Sequence, residues 1–485
     1  MSNLSDLLPA GGSGKTVDLV ASGTLANGDK VILNGDGTVS VIVGSTEGAG
    51  TAAVFESAMT VDISATFDSN SNKVVIAYQD VGNSSYGTAI VGTVSGTSIS
   101  FGTPAVFVSA ISDYNSVTFD SNSNKVVISY RDSGNSLYGT AVVGTVSGTS
   151  ISFGTPAVFE SARADNISAT FDSNSNKVVI AYRDNGNYDY GTAVVGTVSG
   201  TSISFGTAVV FESATSYLMS ATFDSNSNKV VIAYMDSGNF SYGTAVVGTV
   251  SGTSISFGTA VVFESANTNY ISATFDSNSN KVLIAYYDAG NSGYGTAIVG
   301  TVSGTSISFG TPVVFESATS IDISATFDSN SNKVVIAYKD NGNSSYGTAV
   351  VGTVSGTSIS FDTPVVFESA PSRNMSATFD SNSNKVVIAY RDDGNSNYGT
   401  GIVYNTGSTT LTGTNFIGTS EGAFADTATA TVMLRGGITT TQSGLTTGSK
   451  YYIQGDGTLS TTPDSPSVTA GKALSATTLL IGGSS

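Results

Sequence analysis

Seven copies of a 52-residue unit, four strand-length runs in each copy, and a composition rich in β-formers and turn residues predict an all-β chain. The expected architecture is a seven-bladed β-propeller of four-stranded blades with small β-rich terminal modules. FDSNSNK marks the repeat, beginning at Phe67, Phe119, Phe171, Phe223, Phe275, Phe327 and Phe379, always 52 residues apart. A linear β-solenoid is the rival architecture, but its coils are usually shorter and nothing in it prescribes seven. Three regions follow: an N-terminal β segment over 1–48, the propeller over 49–404, and a C-terminal β module over 405–485.

The copy containing Phe67 shows how each strand is read. Ile63–Phe67 alternates apolar with small polar residues and is followed by a polar turn, Asp68–Asn72. Lys73–Tyr78 is a nearly continuous β-branched run suited to a strand buried on both faces. Asp80-Val81-Gly82-Asn83 supplies the next turn, where Gly and Asn accept positive φ. Tyr86–Val94 is the third strand and Thr97–Phe107 the fourth, with Gly102 and Pro104 pointing to a bulge or an edge. The seventh copy ends its third strand at Val403 and lacks SISFGTPVVFESA. Its missing outer strand is expected around Thr38–Phe55, which would close the ring and leave no open edge. Thr409–Phe416 competes for that slot.

Differences among the copies are concentrated. DSNSNK is identical in all seven, and TVSGTSISF in the six copies that have it. Two segments vary: the one before the first strand (Met59–Asp62 and its equivalents) and the turn between strands two and three. In an up-and-down blade both emerge on one face, where loops carry binding chemistry and Tyr, Arg, Phe and Met act as anchors. The candidate ligand-binding residues are therefore Tyr114, Arg131, Arg163, Arg183, Tyr188, Tyr217, Met235, Phe240, Tyr270, Tyr287, Lys339, Arg373 and Arg391. Loop drift is the bland alternative, but drift should have altered DSNSNK and VSGTSIS as well.

Composition narrows the chemistry. The formal charge is −18, which opposes nucleic-acid binding. There is no cysteine and no histidine, so disulfides, thiolate sites and histidine-based catalysis are absent. No apolar run is long enough to span a membrane as a helix. MSNLSDLLPAGGSGK lacks a basic segment followed by an apolar one, so no secretory signal is expected.

Three motifs bear on chemistry. Asp68-x-Asn70-x-Asn72 resembles the opening of a calcium loop. Lys73 stands where that loop needs Gly, and its twelfth position is Gln79 or an equivalent, never Glu, so a metal-free hairpin turn is the favoured reading. Asp80-x-Gly82-Asn83 with Tyr86 faintly resembles the Asp-box turn of sialidase-type propellers, without its Ser or Trp. No nucleophile arrangement accompanies Arg131, Arg183 and Arg391, so no enzymatic activity, cofactor or metal is expected. The recurrent Glu of FESA, as in Glu56 and Glu160, is read as an edge charge that discourages aggregation.

Both flanks contain Gly-Asp-Gly hairpins, KVILNGDGTVS at Lys30–Ser40 and YYIQGDGTLS at Tyr451–Ser460. The stretch Gly436–Leu480, and the N-terminal ASGTLANGDKVILNGDGTVSV, resemble segments of tailed-phage and marine-virus fibre proteins. That resemblance implies a virion structural protein, fibre or tail-associated, assembled in the host cytoplasm. Its diversified propeller face would bind a host surface glycan or protein. The implied partners are other virion proteins, with homo-oligomerisation compatible and no nucleic acid or membrane insertion. The alternatives are a purely structural capsid decoration or filament subunit, or a lectin-like bacterial adhesin.

Overall fold

In the computed structural model, residues 15–463 and 467–482 are described. The signal-peptide expectation falls almost wholly on residues 1–14, outside the described residues. The chain divides into two compact units, Gly48–Thr406 and the joined flanks Met1–Glu47 with Gly407–Ser485. Every regular element among the described residues is a strand or a short 3-10 turn.

The repeat sequence dictates its own pairing. In the first copy Lys73–Asp80 pairs antiparallel with the second half of Ala53–Asp68, from Thr60↔Asp80 to Asp68↔Lys73. Its other edge pairs with Tyr86–Ser95, from Asp80↔Tyr86 to Val74↔Gly92. Val74, Val75, Ile76, Ala77 and Tyr78 are all fully buried, as a continuous apolar run covered on both faces requires. Tyr86–Ser95 then takes two partners: Ser98–Phe101 along Gly92–Ser95, and the start of Ala105–Asp120 along Tyr86–Ala89. The interruption falls at Gly102–Pro104, where the sequence signalled a bulge.

Each 16-residue strand such as Ala105–Asp120 pairs with one repeat through its first half and with the next through its second. This continuity turns the copies into a closed cycle of hydrogen-bonded strands. The last copy's strand, Tyr398–Thr409, meets Ala53–Asp68 through Gly399↔Glu56 and Thr400↔Val54, and Gly44–Ala49 lies between them in the strand order. The N-terminal side of the unit thus supplies the outer strand that the seventh copy lacks. A second cycle of bonds follows the same path. Ser64 Oγ accepts the Val117 N–H at 3.0 Å, Ser116 Oγ the Ala169 N–H at 2.9 Å, and Ser376 Oγ the Ala65 N–H at 2.9 Å, back at the start.

Packing between neighbouring copies makes the core. Val75, Ala77, Ala89 and Val91 of one repeat cluster with Phe107, Val126, Ile128 and Tyr130 of the next. Aromatic triads reinforce the junctions of the first six copies, Phe55 lying 5.2 Å from Tyr78 and 5.6 Å from Phe101 between ring centroids. The FESA glutamates differ from the expectation of edge charges. Glu160 pairs across Gly139 of one repeat, and its Oε2 accepts the Tyr182 hydroxyl of the following repeat at 3.0 Å. The same bridge recurs with Glu56, Glu212, Glu264, Glu316 and Glu368. Burying the bulky Tyr leaves its hydroxyl in need of a partner, and the glutamate supplies it.

Gly102 and its equivalents record a close approach. A Cβ at Gly102 would fall on the Thr149 carbonyl oxygen in the next repeat's TVSGTSIS turn. The sixth copy carries Asp362 at this position, and the repeat that follows it has no such turn. There the side chain is tolerated, and it pairs with Lys333 at 3.2 Å.

In the second unit, one five-stranded sheet interleaves Thr16–Val20, Lys30–Leu33 and Val39–Val41 with Phe416–Ser420 and Thr429–Leu434. The other holds Ile438–Thr439, Lys450–Ile453, Leu459–Ser460, Val468–Ala473 and Leu479–Ile481. The two Gly-Asp-Gly hairpins share one turn chemistry: Asp36 Oδ1 accepts the Thr38 N–H at 3.0 Å, and Asp456 Oδ1 the Thr458 N–H at 2.9 Å.

Candidate functional site

Strand register brings the two variable segments together. The third residue of the first segment lies directly opposite the residue before the constant Asp of the second. The resulting cross-strand pairs are Val61/Gln79, Asp113/Arg131, Asp165/Arg183, Tyr217/Met235, Asn269/Tyr287, Ile321/Lys339 and Arg373/Arg391. The constant DSNSNK turns cap the opposite ends of the same strands, at pairs such as Asp68↔Lys73. There the Asp68 carboxylate accepts the Asn70 and Ser71 N–H groups at 2.9 and 3.0 Å. That is the side chain-to-backbone turn expected of Asp and Asn in a hairpin.

The fourth residue of the first variable segment bulges. Asp62, Tyr114, Asn166, Leu218, Tyr270, Asp322 and Asn374 all have φ between 49° and 54°, a left-handed conformation unusual for Tyr and Leu. With the residue that follows each, they line a cavity of about 290 Å³ to which every repeat contributes. The first ring of lining residues is polar or aromatic except for Leu218. The second is Ile63, Asn115, Ile167, Met219, Ile271, Ile323 and Met375, apolar except for Asn115. Asn166 Oδ1 accepts the Leu218 N–H at 3.1 Å, linking one bulge to the next. Burial and then the Asp113 charge push the Asp62 carboxyl up to about 6. Burial also raises Asp322, against the pull of the Asn374 N–H and of Lys339.

The thirteen predicted residues separate into distinct environments. Tyr114 and Tyr270 line the cavity. Tyr188 and Phe240 are each 82% exposed. Both occupy the left-handed position after the 3-10 turn, with φ of 55° and 54°. Their rings lean on Tyr190 and Tyr242 of the same turns, at 5.8 and 5.7 Å. Tyr287 packs at 6.4 Å from Tyr270, and Met235 is half-buried against the core.

The arginines are engaged. Arg131 binds Asp113 through Nη2 at 2.6 Å and also Asp165 of the next repeat. Asp165, itself fully buried, also binds Arg163 Nε at 2.9 Å and Arg183 Nη2. Arg131 lies over the Tyr114 ring at 4.9 Å and Arg183 over Tyr217 at 4.6 Å. Burial would raise the Asp165 pKa, but bonds from Arg163, Arg183 and Arg131 hold it below the usual range. On the other side of the ring, Arg373 and Arg391 share Asp393, and Lys339 is buried at 6% exposure.

The acidic partners Asp113, Asp165 and Asp393 stand outside the bulky and basic residues that the sequence predicts. Their signal was present: each stands at a position that varies among copies, and Asp113 and Asp165 lie in register with arginines. Asp62, Asn166, Leu218, Asp322 and Asn374 were likewise passed over as cavity-lining residues, although each ends a variable segment.

No family model matches the chain, and no curated protein matches it by sequence. Among solved structures it is similar to the BP39L lectin from Burkholderia pseudomallei, with a TM-score of 0.53, 12% identity, and coverage of 73% of this chain and 98% of that one. The β-propeller domain of Cps50 (Swd1) from Myceliophteria thermophila gives 0.47 at 6% identity over 73% and 99% of the two chains. AofleA from Arthrobotrys oligospora gives 0.41 at 9% identity over 72% and 99%. Among the described residues no helix is long and apolar enough to cross a membrane. Closed strand cycle, repeated unit and structural likeness agree: the fold of this chain is a β-propeller.

Proposed function

We propose that the chain is a lectin-like propeller of seven four-stranded blades that binds a surface carbohydrate through its variable edge, without catalysis. The observation that carries this reading is the placement of variation. Within one polypeptide, the turns at one end of the strands are invariant while those at the other differ in size, charge and aromaticity. A rigid scaffold presenting changeable loops is how binding sites are built. Tyr188 and Phe240 add a specific reason, since an exposed, backbone-strained aromatic contributes little to folding and is well suited to a ligand. The likeness to a lectin of the same fold adds weight to carbohydrate over other surface molecules. Virion placement rests on the resemblance of the terminal segments alone, and the comparisons add nothing to it; the lectin-like adhesin reading has the stronger support.

A glycan array probed with the full chain tests the proposal. Selective binding that weakens at least tenfold in a Tyr188→Ala/Phe240→Ala double variant is the expected result. Absence of binding to every surface glycan, or binding indifferent to both substitutions, would count against it.

A further inference from the structure

Three cations converge beside the Tyr270–Asp322–Asn374 sector of the cavity, in a chain whose formal charge is −18. Arg373 and Arg391 face each other across the strand pair. Asp393 binds Nε of both, at 2.7 and 2.8 Å. Its equivalents in the other copies are Val81, Ser133, Asn185, Ser237, Ala289 and Asn341, none of them charged. By taking each guanidinium at Nε, Asp393 fixes both arginines and leaves their Nη groups to donate elsewhere. Among the described residues no hydrogen bond engages those Nη groups.

Lys339 of the preceding repeat completes the cluster. It is buried at 6% exposure, and among the described residues no carboxylate approaches its ammonium within ion-pair distance. Burial and the Arg373 charge pull its pKa down, while Asp322 and Asp393 pull it up. Three cations therefore face two carboxylates, an excess of positive charge in a partly desolvated place. Arg373 directly precedes Asn374, which lines the cavity with Tyr270.

The other basic cluster is balanced in charge. Arg131, Arg163 and Arg183 face Asp113 and Asp165, with Asp189 3.9 Å from Arg183 Nε, so three cations meet three carboxylates. Nε and both terminal nitrogens of Arg131 are already bound. Arg163 likewise engages only its Nε, but among carboxylates that balance its cluster, whereas the Lys339–Arg373–Arg391 sector joins open donors to an excess of positive charge.

We propose that this sector is an anion subsite: the Nη groups of Arg373 and Arg391 and the Lys339 ammonium take the carboxylate or sulfate of an acidic saccharide, while Tyr270 and Tyr287 meet its ring. The proposal rests on the carbohydrate-binding reading and narrows it to charged sugars. Forked guanidinium donors suit both anions, and charge-assisted bonds are the stronger kind.

Matched polymers test it. Polygalacturonate and its fully methyl-esterified form, and dextran sulfate and plain dextran, are titrated against the full chain by calorimetry in moderate salt. The acidic member of at least one pair should bind ten times or more tighter than its neutral counterpart. Binding by polygalacturonate alone assigns a carboxylate site, and binding by dextran sulfate alone a sulfate site. Lys339→Gln and Arg373→Gln should each reduce that binding about tenfold with the melting temperature little changed. Lys125→Gln, a charge-matched change at a constant turn, should leave it intact. Equal affinity for charged and neutral polymers, or indifference to both Lys339→Gln and Arg373→Gln while array binding persists, overturns the subsite and spares the general reading. If no saccharide binds, charged or neutral, the carbohydrate reading itself fails.

Discussion

Val108 stands where six other copies of the repeat have glutamate, and the consequence is visible one repeat on. The Tyr130 hydroxyl, equivalent to those that donate to Glu56 or Glu160, is buried without a partner. A buried unsatisfied hydroxyl costs about 1–3 kcal/mol, whereas a bond to a carboxylate contributes about 1.5–3. Tyr130→Phe should therefore be neutral or stabilising, and Tyr182→Phe should destabilise by about 1–2 kcal/mol because it strands Glu160. Val108→Glu should add the missing bridge and raise stability by about 1 kcal/mol. Urea unfolding of the three variants checks the set, and equal effects of the two Tyr→Phe changes would refute the account. Gly102 and Asp362 offer a second internal contrast. Gly102→Ala drives a methyl into the Thr149 carbonyl and should cost about 2 kcal/mol or more. Asp362→Gly loses only a partly exposed pair with Lys333, worth about 0–1 kcal/mol.

The turn between the second and third strands separates structural from recognition residues within one element. Asp184 caps it by accepting the Gly186 N–H at 2.9 Å, a bond repeated at Asp132, Asp236, Asp340 and Asp392. The next positions are left-handed, and most copies place Ser there; Tyr188 and Phe240 do not suit that conformation. Tyr188→Asn and Phe240→Asn relieve the strain and give up only an exposed ring contact. Thermal unfolding should therefore show changes within about 0.5 kcal/mol, while saccharide binding falls. A loss above about 2 kcal/mol would make these rings structural. The strands and turns of the repeat were legible because alternation, a β-branched run and Gly/Asn turns are local signals, as Lys73–Asp80 and Gly82-Asn83 show. Two things were not. The pairing of Lys30–Leu33 with Phe416–Ser420 joins residues nearly the whole chain apart and leaves no local trace. The role of Glu160 depends on a tyrosine in the neighbouring repeat, so an edge position in sequence became a half-buried bridge once the copies packed.

Across the whole molecule, the same bridges and the cavity set a pH dependence of folding. Burial, followed by the charge of Asp80, raises the pKa of Glu56, and burial comes first for Glu160, Glu212, Glu264, Glu316 and Glu368 as well. Asp322 is raised likewise, and Asp62 up to about 6. A raised carboxyl pKa means that the folded chain keeps protons the unfolded chain would release. Stability therefore falls as pH rises from the ordinary carboxylate range, and the loss is complete once pH passes the folded values. Asp36, Asp165 and Asp456 are lowered and act the opposite way, but only as pH falls below the ordinary carboxylate range. Self-repulsion in a chain of formal charge −18 adds in the same direction as the raised groups. The melting temperature should consequently be higher at pH 5 than at pH 7. Asp62→Asn separates local burial from overall charge: it should raise the pH 7 value by about 1–3 °C and reduce the difference between the two pH values. Asp18→Asn removes the same charge from an exposed site and should do neither. Calorimetric melts of the three proteins that show a higher midpoint at pH 7 than at pH 5, or equal effects of the two substitutions, would mean that the bridging glutamates and the cavity carboxylates do not govern how this ring responds to acid.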